Sequence, residues 1–160
     1  KNTLELNGYN HYEISNFAKK GKESKHNLNC WEQKEYIGLG LAAYSYLNGI
    51  RYGNTSDIEK YINVQDFLNS SELEESGIRI VDEVQSLEDK RKEYMLLGLR
   101  KIDGVSIQKF KEKFVENPIF LFRKELEKLV NEKLITIDGD CIMLTNKGLD
   151  LANIVWEEFV

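Results

Sequence analysis

Two short apolar runs on either side of an Asp-Gly-Asp turn at 138–140 constrain the fold of this 160-residue chain more than any other feature. The runs cover 134–137 and 141–144, and an Asp-Gly pair between them favours a tight β-hairpin. A helix is predicted to begin at Pro118, because proline in the first helical position needs no backbone donor. Another helix is predicted after Thr145. Helices followed by a small hairpin and a further helix predict a winged-helix-like arrangement.

Hydrophobic periodicity and capping residues predict the remaining elements. Strands and helices do not alternate regularly, so the chain is expected to be α+β. A domain boundary is expected between residues 71 and 86. The other predicted elements are a strand over 11–17, a polar loop over 18–29, strands over 37–47 and 50–53 around Asn48-Gly49, a helix from Ser56 to about residue 69, a strand over 78–84 and a helix over 86–100.

Charge and composition narrow the classes of function. The net charge of −5 gives no concentrated positive field, and the turn at 138–140 would present carboxylates to a phosphate backbone. Nucleic acid is therefore not an expected partner, although a winged-helix nucleic-acid or protein-interaction module stays an alternative. No apolar run approaches the ~20 residues that cross a bilayer. Two cysteines make a disulfide scaffold improbable and favour a reducing, cytoplasmic location.

An imidazole, a thiol and an indole lie within six residues, at His26, Cys30 and Trp31. A structural zinc site usually needs four ligands, and no Cys-x2-Cys pair is present, so no metal site is expected. A lone histidine is often a hydrogen-bonded structural residue. Six of the eight tyrosines lie in the first 52 residues, however, and aromatic side chains beside an imidazole suit a flat, partly apolar ligand or cofactor. Both interpretations remain open at this level.

A small-residue segment follows, with Gly38, Gly40, Ala42 and Ala43. It lacks the third glycine of a dinucleotide-binding fingerprint. Without a Cβ at two of three positions, its backbone can closely approach a ligand or another strand.

Several stretches together resemble a known family. They are 12–18 (Tyr-Glu-Ile-Ser-Asn-Phe-Ala), 26–31 (His-Asn-Leu-Asn-Cys-Trp), 36–45, Arg51-Tyr52 with Asn54, and 144–148 (Leu-Thr-Asn-Lys-Gly). The chain resembles the C-terminal half of the anaerobic, oxygen-independent coproporphyrinogen III oxidase-like radical SAM family. The His-Asn-x-x-x-Trp segment resembles the HemW branch of that family, the heme chaperones. Cys30 stands where that branch usually carries tyrosine.

The resemblance implies a fold and a division into domains. Residues 1–71 would be the end of a partial radical SAM (β/α) barrel, and residues 72–160 a helical, winged-helix-like C-terminal domain. Radical SAM chemistry needs a Cys-x3-Cys-x2-Cys loop to hold a [4Fe–4S] cluster, and this sequence has no such loop. The chain is therefore expected to be a C-terminal fragment, inactive alone in radical chemistry and without catalytic residues.

The resemblance also implies site residues, cofactors and partners. His26, Asn27 and Trp31 would contact heme, and the segment from Gly38 and Gly40 to Ala42 and Ala43 would lie near the cofactor. S-adenosylmethionine and the [4Fe–4S] cluster would belong to the parent protein. Heme or porphyrin, a heme-accepting protein and a second copy, paired through an exposed barrel edge such as 11–17, are the expected partners. The alternative within the family is a true coproporphyrinogen III oxidase, which decarboxylates its substrate to protoporphyrinogen IX.

Overall fold

The computed structural model describes residues 1–64 and 69–160, which mix short helices with antiparallel strands. Two compact units divide the chain: residues 1–33 with 91–160, and residues 34–90. The predicted division at residue 71 rests on the resemblance to the family's domains and stays a prediction. The elements are α1 (Asn2–Leu6), β1 (Asn10–Glu13), β2 (Asn16–Ala18), α2 (Lys25–Trp31), β3 (Tyr44–Leu47), β4 (Ile50–Asn54), α3 (Ile58–Ile62), α4 (Ser70–Glu75), β5 (Arg79–Val84), α5 (Leu87–Gly98), β6 (Val105–Ser106), α6 (Ile107–Phe114), α7 (Pro118–Leu121), α8 (Arg123–Asn131), β7 (Ile135–Asp138), β8 (Cys141–Leu144), α9 (Asn146–Asp150) and α10 (Ala152–Glu157).

The main hydrophobic core lies in the first unit. Helices α5 to α10 pack there with a three-stranded antiparallel sheet of order β6-β8-β7. Four aromatic rings, from Tyr94, Phe110, Phe122 and Phe159, contact one another edge to face within this core. The buried core consists of Tyr94, Met95, Leu99, Val105, Phe110, Phe114, Phe122, Leu126, Leu129, Leu134, Ile135, Ile142, Val155 and Phe159.

The predicted hairpin over 134–144 is confirmed, since β7 pairs with β8. The helix predicted from Pro118 begins there, with the Asn117 side chain accepting a hydrogen bond from the Ile119 N–H over 3.0 Å. It is interrupted at Phe122, whose backbone leaves the helical region at φ −107° and ψ 36°. The Phe122 ring is buried against Phe159, and this aromatic packing favours the non-helical backbone at Phe122.

The prediction of one strand over 11–17 is wrong. The chain turns after Glu13, and β1 pairs with β2 as a hairpin. The other side of β1 is also bonded, because Ile14 N–H donates to the Arg100 carbonyl and Ile102 N–H donates to the Tyr12 carbonyl. β1 is therefore bonded on both sides near Tyr12 and Ile14, whereas β2 pairs with β1 alone among the described strands, and association with a second copy stays a prediction.

The second unit contains the antiparallel sheet β3-β4-β5. The Asn48-Gly49 turn between β3 and β4 is confirmed, with φ of 53° and 77°, the left-handed conformation that such hairpins require. The strand predicted over 37–47 begins only at Tyr44, because the preceding residues form a separate loop. The predicted strand over 78–84 is present as β5.

The helix predicted from Ser56 is shorter than expected. Asp57, rather than Ser56, is its N-cap, since the Asp57 carboxylate accepts a hydrogen bond from the Lys60 N–H over 3.1 Å. The helix ends at Ile62. Its predicted continuation through residues 65–68 lies outside the described residues. No helix in the described ranges is long and apolar enough to cross a membrane.

Candidate functional site

The segment around His26 is helical, so the predicted polar loop over 18–29 is wrong from residue 25 onward. Helix α2 begins after Ser24, whose hydroxyl oxygen accepts a hydrogen bond from the Asn27 N–H over 3.3 Å. The serine cap and two large apolar residues, Leu28 and Trp31, stabilise this short helix, although it has no long apolar stripe. The helix therefore determines on which of its faces each side chain of the segment lies.

One face of α2 carries His26 and Cys30, which are one turn apart. The His26 imidazole is exposed, and its Nε2 lies 3.8 Å from the Cys30 sulfur. Burial raises the pKa of the Cys30 thiol, so the thiol stays protonated at neutral pH. The exposed imidazole nitrogen of His26 is therefore the accessible transition-metal ligand on this helix face, whereas the protonated thiol of Cys30 is not.

The neighbouring face of α2 carries Asn27 and Trp31, both half-buried. The Trp31 indole covers one side of the Arg100 guanidinium, with the Arg100 Cζ 4.4 Å from the ring centroid. Trp156, on α10, covers the other side at 4.7 Å. Each such cation–π contact contributes about 0.5–2 kcal/mol. The three side chains form a stack, called here the Trp–Arg–Trp stack.

The Trp–Arg–Trp stack leaves three buried hydrogen-bond donors unpaired: Trp31 Nε1, Arg100 Nε and Trp156 Nε1. A buried donor without a partner costs about 1–3 kcal/mol. Sequence reasoning missed Arg100 and Trp156, because no local spacing relates positions 31, 100 and 156. The only signal was an arginine placed directly after the strongly apolar segment of α5.

Polar contacts hold the end of α2 in place. The Gln33 side-chain amide donates to Glu93 Oε2 over 2.8 Å, and Lys113 donates to the Gln33 carbonyl over 3.2 Å. Lys101 Nζ lies 3.7 Å from Glu32 Oε1. Burial lowers the pKa of Lys101, and the Glu32 carboxylate opposes that shift. These contacts fix the position of Trp31, the last residue of the helix.

The residues do not fit an iron–sulfur cluster. Cys30 and Cys141 are both free thiols and are the only two cysteines of the sequence, whereas such a cluster takes several thiolates. Among residues 1–64 and 69–160, no three His, Cys, Asp or Glu side chains are grouped so that they could hold a metal ion.

The small-residue segment belongs to the second unit. A Cβ on Gly38 would overlap the backbone carbonyl of Tyr44, so the close approach predicted at this glycine is made to the protein's own strand β3. The Asn54 side-chain amide donates to the Gly40 carbonyl over 2.7 Å. Ala42 has a φ of 55°, which is rare for a residue with a side chain, and its N–H donates to the Thr55 carbonyl over 3.0 Å.

A pocket of about 280 Å³ adjoins this segment. Ala42 lines it together with Asn54 and Asp82, whereas Gly38, Gly40 and Ala43 do not. His26, Asn27 and Trp31 are on one helix of the first unit, and the four small residues are in the second unit. Each group is therefore described separately.

Residues 85–151 match the model of the HemN C-terminal domain family. Nearly the whole chain matches the heme chaperone HemW of Lactococcus lactis subsp. lactis, with 42% identity over 157 residues that cover 98% of this chain and 39% of that protein. The heme chaperone HemW of Bacillus subtilis is 37% identical over 158 residues, which cover 98% of this chain and 40% of that protein.

A solved structure of coproporphyrinogen III oxidase (HemN) from Escherichia coli, described as a radical SAM enzyme, has the same fold, with a TM-score of 0.69 at 15% identity. The likeness covers 99% of this chain and 38% of that one. The predicted resemblance is thereby confirmed: nearly the whole chain is similar to HemW heme chaperones, and residues 85–151 match the HemN C-terminal domain family. It spans about two fifths of the length of the curated relatives it matches.

Proposed function

We propose that the chain forms the C-terminal part of a heme chaperone of the HemW type and that His26 contacts the bound heme. The observation that carries this proposal is the exposed imidazole on α2, in a chain 42% identical to a heme chaperone. Histidine is a frequent axial ligand of heme iron. The role of the chain is then to bind heme or a related porphyrin and pass it to a heme-accepting protein.

Neighbouring residues support the same role. Trp31 offers an aromatic surface that suits a flat macrocycle, and Asn27 lies on the same face of α2. Cys30, in place of the tyrosine usual in this branch, brings a protonated thiol to within 3.8 Å of the His26 ring. Because the thiolate rather than the thiol ligates metals, the His26 imidazole is the proposed iron contact and Cys30 is its neighbour.

The radical SAM cofactors are part of this proposal only because of the relatives that the chain resembles. A [4Fe–4S] cluster and S-adenosylmethionine would be held by the part of the relatives that this chain does not span, and no catalytic residue is proposed here. Gly38, Gly40, Ala42 and Ala43 are proposed to lie near that cofactor region. The pocket beside Ala42 supports this for one of the four. A true coproporphyrinogen III oxidase is the weaker alternative, since its solved structure shares only 15% identity.

The proposed domains are the end of a radical SAM barrel over 1–71 and a winged-helix-like domain over 72–160. The element order α5, β6, α6, α7–α8, β7, β8 and the strand order β6-β8-β7 support a winged helix. Because the hairpin turn carries Asp138 and Asp140, protein interaction suits this domain better than binding to DNA. Two free thiols support a cytoplasmic location.

Hemin titration tests the heme contact. Hemin added to the wild-type protein is expected to shift the Soret band as it binds. The His26→Ala variant is expected to bind at least about tenfold more weakly, because it loses an iron ligand.

His11→Ala is the matched control, since His11 is the other of the two histidines. Its ring stacks on Phe17 and its Nε2 lies 3.2 Å from the Ile14 carbonyl, so we assign it a structural role. It should leave the Soret shift and the affinity unchanged. An identical spectrum and affinity for His26→Ala and wild type would remove His26 from the site.

A further inference from the structure

The Trp–Arg–Trp stack presents a positive charge that no carboxylate neutralises within the described part of the chain. The Arg100 guanidinium lies between the two indoles, with its Cζ 4.4 Å and 4.7 Å from the ring centroids of Trp31 and Trp156. Two other cations of the first unit have carboxylate partners: Lys101 pairs with Glu32, and Arg91 pairs with Glu116.

The position of Arg100 is fixed by its backbone. The Arg100 carbonyl accepts a hydrogen bond from the Ile14 N–H, and the Arg100 N–H donates to the Leu97 carbonyl over 3.1 Å. The rings on both sides restrict the side chain further. A guanidinium held in this way is preorganised, so it loses little conformational freedom when it binds an anion.

The stack also holds donors that lack acceptors. Trp31 Nε1, Arg100 Nε and Trp156 Nε1 are buried and unpaired. The terminal guanidinium nitrogens are not among the buried unpaired atoms, and no described residue accepts a hydrogen bond from them, so they face solvent. The solvent-facing terminal nitrogens of Arg100 are therefore the donors that an anion can reach.

We propose that Arg100, flanked by Trp31 and Trp156, binds a propionate carboxylate of the tetrapyrrole carried by this protein. Arginine and carboxylate form two parallel, charge-assisted hydrogen bonds, a pairing that suits the planar guanidinium. Trp31 is five residues beyond His26 on α2, about 7.5 Å along the helix axis. That axial distance is smaller than the width of a porphyrin ring. This assignment rests on the proposed heme binding and adds the residue that recognises the acidic edge of the ligand.

The test compares hemin with hemin dimethyl ester, in which both propionates are esterified. The wild-type protein is expected to bind hemin about tenfold more tightly than the ester, because the charge-assisted pair is lost with the ester. Arg100→Gln is expected to bind the two porphyrins equally, with its affinity for the ester the same as that of the wild type. This unchanged affinity for the ester shows that the fold and the iron contact are intact.

The outcomes separate the two proposals. If the wild type binds both porphyrins equally, or if Arg100→Gln keeps the preference for hemin, the assignment of Arg100 is overturned while heme binding stands. If neither porphyrin shifts its Soret band with wild type, heme binding itself fails, and the assignment of Arg100 fails with it. If circular dichroism shows that Arg100→Gln does not fold, Arg100→Lys replaces it. That variant keeps the charge between the indoles but loses the bidentate geometry, so it should show a reduced preference, and an unchanged one overturns the assignment.

Discussion

At the scale of single residues, Gly104 shows how closely the backbone segments of the first unit approach one another. Its φ of 70° lies in the left-handed region, and a Cβ there would overlap the Ile142 carbonyl oxygen on β8. Gly139, in the hairpin turn, has a similar φ of 55° but open space around it. Both positions therefore favour glycine for its backbone conformation, but only Gly104 also requires it because a Cβ would not fit.

Gly104→Ala is expected to lower the free energy of unfolding by about 2–5 kcal/mol. The left-handed conformation costs a residue with a Cβ about 1–2 kcal/mol, and overpacking against β8 adds about 1–3 kcal/mol. Gly139→Ala, the matched control, should lose only about 1–2 kcal/mol, since just the first cost applies. Chemical denaturation of both variants measures the difference, and equal losses would contradict the steric explanation.

The candidate site was only partly predictable from individual residues. The types and spacing of His26 and Trp31 singled out the segment that is proposed here to contact heme. The contact between His26 and Cys30 depends on helix α2. The sequence did not predict that helix, because the segment is mostly polar. Arg100 and Trp156 reach Trp31 through tertiary packing, and the sequence around each of them contains no trace of that contact.

At the scale of elements, the turn of the β7–β8 hairpin caps helix α6. Asp140 Oδ2 accepts a hydrogen bond from the Ser106 hydroxyl over 2.5 Å, and Oδ1 accepts one from the Gln108 N–H over 2.8 Å. The Ser106 hydroxyl, and then the Gln108 amide, hold the pKa of the Asp140 carboxyl below its ordinary value of 3.8. The same acidic turn that argues against DNA binding thus has a structural role at the start of a helix.

This depressed pKa predicts how stability depends on pH. Asp140 favours the folded state above its ordinary pKa of 3.8, and this contribution is lost as the pH falls through the lower folded-state value. Asp140→Asn is therefore expected to be less stable than the wild type at neutral pH, with the difference shrinking as the pH falls below 3.8. Denaturation at a series of pH values measures it.

Asp138→Asn is the control for that series. It removes a carboxylate from the same hairpin, but one that forms no hydrogen bond with a described residue. A smaller loss of stability at neutral pH is expected for this variant. A difference between Asp140→Asn and wild type that stays constant down to the lowest pH would contradict the role of the two hydrogen bonds.

Elements were predictable where capping and periodicity agreed. The hairpin at 134–144, strand β5 and the start of α7 all follow from such local signals. The interruption at Phe122 was not predictable, because a buried ring contact outweighs the helical preference of the surrounding residues. The N-terminal hairpin was mistaken for one strand, since its alternation of apolar and polar residues continues through the turn.

At the scale of the whole molecule, charge distinguishes a protein-interaction role from a nucleic-acid role. The chain carries 27 acidic against 22 basic residues. On α8, two of the three cations are paired with carboxylates, Arg123 with Glu127 and Lys128 with Glu158. A winged helix that reads DNA depends on uncompensated positive charge.

We therefore expect no retention of the protein on immobilised duplex DNA, even at low salt. The physical reason is that few counterions would be released when the molecule meets the phosphate backbone. Elution across a salt gradient measures this, with a basic winged-helix protein as the positive control. Retention that weakens as salt increases would contradict the expectation and favour the nucleic-acid alternative.

The Trp–Arg–Trp stack has an optical consequence. Trp31 and Trp156 are the only tryptophans in the sequence. All indole fluorescence of the protein therefore originates on the two sides of one guanidinium, at the place where the acidic edge of the tetrapyrrole is proposed to bind. A porphyrin bound there would quench both fluorophores together, so the intrinsic emission of the unlabelled protein is expected to follow the proposed porphyrin binding in real time.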